Sequence, residues 1–288
     1  MTSLVSHVLN GLSFGSLLFL VASGLTLAFG LMRALNLAHG AFYLLGGYLA
    51  LDILQRTDSY LLAVVGAVAA VTLLGVAFER LLMHRVLQQE LAQVVLTVGA
   101  AFLIADQILA YYGGRPTFPP RPPGLEGSIS FAGITFPTFR LGLMLVAVLV
   151  FGALWVLIHR TKVGAQLRAA VDDEQMARAS GVPVPALFMS VFGAGAGLAA
   201  FGGIWGGTLT GLEPGGEFTI LLLALVVVVV GGLGSVSGAF AAALLVGLLD
   251  EFGKWLFPSY ALFTLYAPVA VLLAIRPSGL FGKAEVVE

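Results

Sequence analysis

Apolar runs about as long as a bilayer is thick recur from one end of this chain to the other. They fall at roughly 7–31, 36–54, 60–82, 92–112, 139–159, 185–210, 217–232, 237–256 and 260–276. A hydrocarbon core about 30 Å thick takes around 20 residues of helix to cross. Inside it the backbone must satisfy its own hydrogen bonds, which leaves helices or a closed barrel. Barrel strands alternate polar and apolar residues, and these runs do not. The expected fold is all-α: one polytopic transmembrane helical bundle over 1–288, with eight or nine spans, some broken or re-entrant. Charged residues make up 10% of the chain, where a soluble domain carries about a quarter. The first run is too long for a signal-peptide core and lacks a basic leader, so it is expected to be retained. The chain has no cysteine, which excludes disulfides and thiolate metal sites. Nothing in its net charge of −1, and no basic tract, points to nucleic acid.

Orientation follows from Lys and Arg near the span ends. Arg160, Lys162, Arg168 and Arg178 place segment 160–183 in the cytoplasm, and Arg80 and Arg85 place loop 81–91 on the same side. Arg276 and Lys283 put the C-terminus there too. Counting back gives nine crossings with the N-terminus outside, or eight with it inside if the glycine-rich 36–54 run is re-entrant. Loop 113–138 then lies outside. It holds six of the chain's 12 prolines, so it cannot continue a helix. It is either a docking edge for an extracytoplasmic partner or a plain connector.

The charge withheld from the spans is concentrated in that cytoplasmic segment. Thr161 is placed to cap a short helix whose Val163, Leu167 and Ala170 share one face. Asp172 is placed to cap a second, with Gln175 three residues on and Arg178 near its end. Gly181 and the prolines after it stop that helix and open the next span. Two short surface helices are expected, in a loop far longer than a bundle connection needs, which points to a partner in water.

Gln175-Met176-Ala177-Arg178-Ala179-Ser180-Gly181 resembles the Glu-Ala-Ala-x-x-x-Gly loop of ABC importer permeases, with Gln and Met departing at its first two positions. Five further motifs extend the likeness from about residue 8 to 282. They are Asn10-Gly11-Leu12; Gly24-Leu25-Thr26-Leu27 with Phe29-Gly30; Asn36-Leu37-Ala38-His39-Gly40; Gly231-Gly232-Leu233-Gly234-Ser235 with Gly238-Ala239; and Arg276-Pro277-Ser278-Gly279-Leu280-Phe281-Gly282. Together they resemble the permeases of branched-chain amino acid ABC importers, the shorter of that system's two permeases in particular. The resemblance implies a prokaryotic inner-membrane permease that binds no cofactor itself. It also implies two cytoplasmic ATPases that use ATP, a second and different permease, and an extracytoplasmic binding protein. By the same resemblance Gly164, Leu167, Arg168, Asp172, Glu174, Gln175, Ala177, Arg178 and Gly181 become candidates for coupling to the ATPases.

Candidates for the translocation path are Asn10, Asn36, His39, Gly40, Gly234 and Ser235. A polar side chain within a span is costly and often functional. His39 and the backbone N–H groups beside Gly40 could meet a substrate carboxylate, as half-helix N-termini do in transporters. Equally, His39 and Asn36 could fix packing against a neighbouring helix. The 231–238 glycines could mark a break facing the path or an ordinary surface turn. For Asp106, Gln107, Asp250 and Glu251, structural pairing is expected, with Lys254 well placed for Asp250. The chain holds no GxxxxGK[ST] loop, so it is expected to be a transport subunit and not an enzyme. A self-sufficient secondary transporter or channel is the alternative. It would need ion-coupling carboxylates near mid-membrane, whereas Asp52, Glu79, Asp106 and Asp250 all fall near span ends.

Overall fold

The computed structural model describes residues 2–32, 36–86, 89–131 and 134–281. Gly282 and Lys283, used above for a motif and for orientation, lie outside them. The described residues form eleven α-helices and one hairpin. The helices are α1 (Thr2–Met32), α2 (His39–Thr57), α3 (Tyr60–Leu81), α4 (Glu90–Tyr112), α5 (Thr138–Arg160), α6 (Lys162–Asp172), α7 (Glu174–Ala179), α8 (Val184–Thr210), α9 (Glu217–Gly231), α10 (Val236–Leu256) and α11 (Ala261–Ile275). Punctuation in the sequence sets their ends. Ser59 accepts from Leu62 N and opens α3. Gly113 and Gly211 close α4 and α8 with φ of 76° and 89°, which glycine adopts freely.

Among the described residues, seven helical stretches are long and apolar enough to cross a membrane: those containing α1, α3, α4, α5, α8, α10 and α11. The protein is an all-α, multi-pass helical bundle. The 36–54 and 217–232 runs fall short of that standard. α9 has 15 residues, and α2 begins among the buried middles of its neighbours. The all-α expectation needs one addition, an antiparallel hairpin of β1 (Ser128–Phe131) and β2 (Ile134–Pro137), with Ser128 opposite Pro137 and Phe131 opposite Ile134. Rich in Ile, Phe and Thr, with its one proline at the end of β2, this stretch suits a pleated surface.

α1 is the axis of the bundle, with 83% of its apolar window buried. It runs antiparallel to α8 and α10, and backbone meets backbone where glycines allow. A Cβ on Gly15 would lie 2.6 Å from the Ala243 carbonyl, and one on Gly24 would lie 2.4 Å from the Gly195 carbonyl. Such contacts hold helices together where lipid gives no hydrophobic drive between them. α3, α4, α5 and α11 form the outer shell and expose rows of Leu, Val and Phe.

The two faces of the bundle are distinct. The N-terminal half of α1 shares one face with loop 113–138: Arg140, at the start of α5, hydrogen-bonds Asn10. On that face Thr117 also exchanges backbone hydrogen bonds with Leu212, at 2.9 and 2.8 Å. α6 and α7 lie at the opposite face, past the end of α5.

Candidate translocation path and coupling surface

Asn36 and His39 are brought to the centre of the bundle. Asn36 is 2% exposed, and its Oδ1 accepts from Ala38 N at 3.1 Å, a local bond that shapes the turn into α2. His39 is fully buried. Its Nε2 donates to the Val21 carbonyl at 2.8 Å. A carbonyl can only accept, so the proton sits on Nε2, and Nδ1 has no partner. The ring lies against Gly24, which itself meets Gly195. Val21 and Gly24 are near the middle of α1, and Gly195 is near the middle of α8. α2 therefore begins about halfway through the bundle.

α9 begins at the same depth. After α8 ends, Leu212 packs on Gly47 and Gly207 and its carbonyl accepts from Tyr48 at 3.1 Å. The chain then follows α2 back inward, so that the Glu217 carbonyl reaches Gly40, where a Cβ would lie 2.0 Å away. Neither α2 nor α9 carries a side-chain N-cap. The first N–H groups of both helices, which no turn can satisfy, converge in the interior. Glu217 is 5% exposed, and its Oε2 has no partner. Sequence reasoning missed Glu217. Its position after Gly215-Gly216 in an apolar stretch was the available signal.

The other path candidates sit elsewhere. Asn10 belongs to an ionic cluster near the ends of three helices, α1, α5 and α10, on the face of loop 113–138. Its Nδ2 donates to Glu251 Oε1 at 3.2 Å, Arg140 donates to its Oδ1, and His7 meets Glu251 at 2.8 Å while stacking on Trp255. Gly234 and Ser235 form a turn at the opposite end of the bundle, not a break at mid-depth. Gly234, with φ of 81°, packs on Gly30, and Ser235 caps α10 by accepting from Gly238 N at 3.0 Å. The C-terminal motif docks there: Leu280 N donates to the Val230 carbonyl at 2.7 Å. The surface-turn alternative describes this segment.

The polar segment forms two helices. Thr161 caps α6 by accepting from Gly164 N at 3.1 Å. Gly164 is wedged under the end of α5, where a Cβ would lie 2.2 Å from the Ile158 carbonyl. Arg168 donates to that same carbonyl. The second cap is Asp173, not Asp172. Asp173 accepts from Met176 N at 2.9 Å, while Asp172 ends α6. Arg178 pairs with Glu174 at 2.6 Å. Gly181 has φ of 82°, and Val182 N returns to the Ala177 carbonyl at 3.0 Å, a helix stop of the Schellman type.

Gly164, Leu167 and Ala177 are buried and hold this helix pair to the bundle. Arg168, Asp172, Glu174, Gln175, Arg178 and Gly181 are exposed. Two apolar side chains beside them, Val163 and Met176, are 44% and 64% exposed. An apolar spot rimmed by charge suits a protein contact. Asp250 pairs with Lys254 at 2.6 Å as spaced. Asp106 and Gln107, for which pairing was expected, are exposed with no side-chain partner described.

The chain is similar along nearly its whole length to named transport proteins. The high-affinity branched-chain amino acid permease BraD of Pseudomonas aeruginosa is 28% identical over 98% of this chain and 97% of its own length. LivH of Salmonella typhimurium is 26% identical over 98% and 96%. The probable branched-chain amino acid permease LivH of Methanocaldococcus jannaschii is 28% identical over 93% and 90%. No solved structure matches. From residue 7 to residue 275 the chain matches the model of the branched-chain amino acid transport system permease component, and it belongs to that family.

Proposed function

We propose that this chain is the pore-forming permease subunit of an ATP-driven importer for branched-chain or related amino acids, in the cytoplasmic membrane of a prokaryote. The observation that carries the proposal is the helix pair α6–α7, an exposed, capped and charged unit on an otherwise apolar bundle, set on the face opposite loop 113–138. Two separate ATPase subunits would grip it through Met176, Val163 and the charged residues around them. Gly164 and Leu167 would pass the force to α5 and the bundle. A second permease would complete the pathway, and an extracytoplasmic binding protein would deliver solute at the 113–138 face. The chain has no phosphate-binding loop of its own.

Inside the bundle the convergence of α2 and α9 is the proposed gate. Uncapped helix N-termini carry partial positive charge, and Glu217 supplies a carboxylate beside them. A zwitterionic amino acid presents the complementary pair of charges. His39 orients α2 through Val21.

A photo-crosslinking residue at position 176 is expected to capture an ABC ATPase in intact cells, identified by mass spectrometry. The purified chain reconstituted alone is expected to show no uptake driven by an ion gradient. Ion-driven uptake by the lone chain would instead establish a secondary transporter.

A further inference from the structure

Loop 113–138 is tied to the point where the chain turns back into the bundle. Thr117 and Leu212, 95 positions apart, exchange both backbone hydrogen bonds, at 2.9 and 2.8 Å, as a single antiparallel bridge. The Leu212 carbonyl takes a second donor, the Tyr48 hydroxyl, at 3.1 Å. Both of its lone pairs are then used. Tyr48 and Leu212 are fully buried, and Tyr48 stacks on Tyr112 with ring centroids 4.6 Å apart. The Leu212 side chain fills the space that two glycines leave: a Cβ on Gly47 or Gly207 would lie 2.5 or 2.8 Å from it. Phe118 lies on Gly211. Pro119 and Pro120 cover Gly47, Leu51 and Ile204, leaving a cavity of only about 10 Å³. Leu212 therefore has little freedom to travel along α2.

The connection from Leu212 inward is short. Only residues 213–216 separate it from Glu217. Pro214 fixes one φ among them, and Gly216 N donates to the Glu213 carbonyl at 3.0 Å, which closes the turn. The returning chain touches α2 at Tyr48 and again at Gly40, about 12 Å apart along the helix axis. A chain pinned at one end of a closed turn has little slack, so the position of Leu212 sets the depth at which α9 starts. The far end of the loop is fixed as well. Leu125 lies on Gly142 of α5, and Thr138 N donates to the Gly127 carbonyl at 3.1 Å.

We propose that Tyr48 and Thr117 are positioning residues for the gate: their bonds to the Leu212 carbonyl hold the first turn of α9 level with that of α2. This rests on the permease function above and names what sets the geometry of its gate. Thr117 N alone would satisfy the Leu212 carbonyl, which as a buried backbone group needs a partner. The Tyr48 hydroxyl adds something else, because it joins α2 itself to the turn that delivers α9. Loop 113–138 is then more than a connector, since it closes this clasp from outside. Without the clasp the start of α9 samples other depths, and the first N–H groups of α2 and α9 face one another for a smaller part of the time.

The test uses three variants. Tyr48→Phe keeps the ring stack and removes one bond, Thr117→Pro removes the N–H that makes the other, and Thr117→Ala keeps both backbone bonds as the control. Hydrogen exchange of the full-length purified chain is read by mass spectrometry. Over residues 217–223 it is expected to run about fivefold faster in Tyr48→Phe, the effect of about one net hydrogen bond, and at least as fast in Thr117→Pro. Residues 226–231, and the Thr117→Ala variant throughout, exchange as in the wild type. In cells carrying the whole transporter, Tyr48→Phe and Thr117→Pro are expected to lower the maximal uptake of leucine about fivefold. The half-saturating concentration, and crosslinking from position 176 to the ATPase, stay unchanged. Thr117→Ala transports normally. Wild-type exchange in Tyr48→Phe would overturn the clasp. Faster exchange with normal uptake would reduce it to a structural tie and overturn the positioning role. So would a rise in the half-saturating concentration alone, which would put Tyr48 in contact with solute. If Thr117→Pro fails to fold, Tyr48→Phe decides. If the intact wild-type transporter takes up no branched-chain amino acid, the function falls and the positioning role with it; normal wild-type uptake with unaffected variants leaves the function standing and removes the clasp alone.

Discussion

The contact between Gly40 and Glu217 makes the central geometry measurable. In Gly40→Ala the new methyl would sit 2.0 Å from the Glu217 carbonyl oxygen, where real Cβ contacts essentially never come closer than 3.0 Å. α9 must therefore retreat by about 1 Å, and the obstacle is backbone, which cannot rotate away. Overpacking of this kind costs about 1–3 kcal/mol. Better helix propensity offsets little, because Gly40 is only the second residue of α2. A net loss of about 2 kcal/mol corresponds, at roughly 2–4 °C per kcal/mol for a chain of this size, to a melting point lower by about 4–8 °C. Gly99→Ala is the matched control. It makes the same chemical change in α4, but the methyl meets nothing within 4 Å, so propensity alone acts and the isolated chain gains about 0.5–1 kcal/mol. The assay is thermal unfolding of the purified single chain in one detergent, followed by tryptophan fluorescence. Opposite shifts are expected. Two equal shifts of the same sign would mean that glycine content, and not the α2–α9 contact, sets stability, and the convergence of the two helices would have to be abandoned.

His39→Gln keeps a donor for the Val21 carbonyl and is expected to retain most uptake, whereas His39→Leu loses the donor and most uptake; equal loss in both, with normal assembly, would show that the imidazole acts directly on solute. Asp173→Ala removes the α7 cap, worth about 1 kcal/mol locally. It is expected to weaken crosslinking from position 176 to the ATPase while the melting point of the membrane part stays unchanged, and an unchanged crosslink yield would refute the role of the cap. Glu251→Ala strips His7 and Asn10 of their shared acceptor and leaves Asn10, which also accepts from Arg140, less firmly held. It is expected to destabilise the purified chain by about 1–2 kcal/mol, while Glu251→Gln, which still accepts, costs less; the two melting points, compared, decide.

Much of the fold was legible because helix ends are written in short-range chemistry. Thr161, Gly181 and Gly113 act on backbone within a few residues of themselves, so their effect can be read without knowing the rest of the molecule. Asp172 and Asp173 show how fine that reading is: both can cap, and tertiary placement of α6 decides which one does. What escaped was depth. The stretch 36–54 is apolar in any register, and nothing local says that its helix starts beside Val21 in mid-bundle. The same holds for Glu217, whose importance comes from Gly40, 177 positions earlier in the chain. Asn10 was grouped with the path because it is polar inside a span, yet its partners Arg140 and Glu251 come from two distant helices. Asp106 was assigned a partner on general grounds, and the described residues supply none.

The glycine contacts also limit how such a protein can move. Where α1 meets α8 and α10, backbone rests on backbone: Gly24 on Gly195, Gly15 on Ala243, Gly11 on Gly247. A slip of α1 by one residue would set Ser23 or Leu25 against Gly195, in a space that does not admit even a methyl group. Small residues at helix contacts are often taken to favour sliding. Here they fix the register, because close approach is tolerated at single positions and nowhere between them. Force arriving through Gly164 at the end of α5 therefore has two outlets. It can turn the α1–α8–α10 core as one body, carrying α2 where Gly46 meets Ala200 and Gly203 meets Tyr43, or it can shift α4, which packs mainly on α2 and not on that core. Alternating access in this bundle is thus expected at the boundary between two permeases and where α9 starts beside Gly40, with the α1–α8–α10 core of each moving as a block.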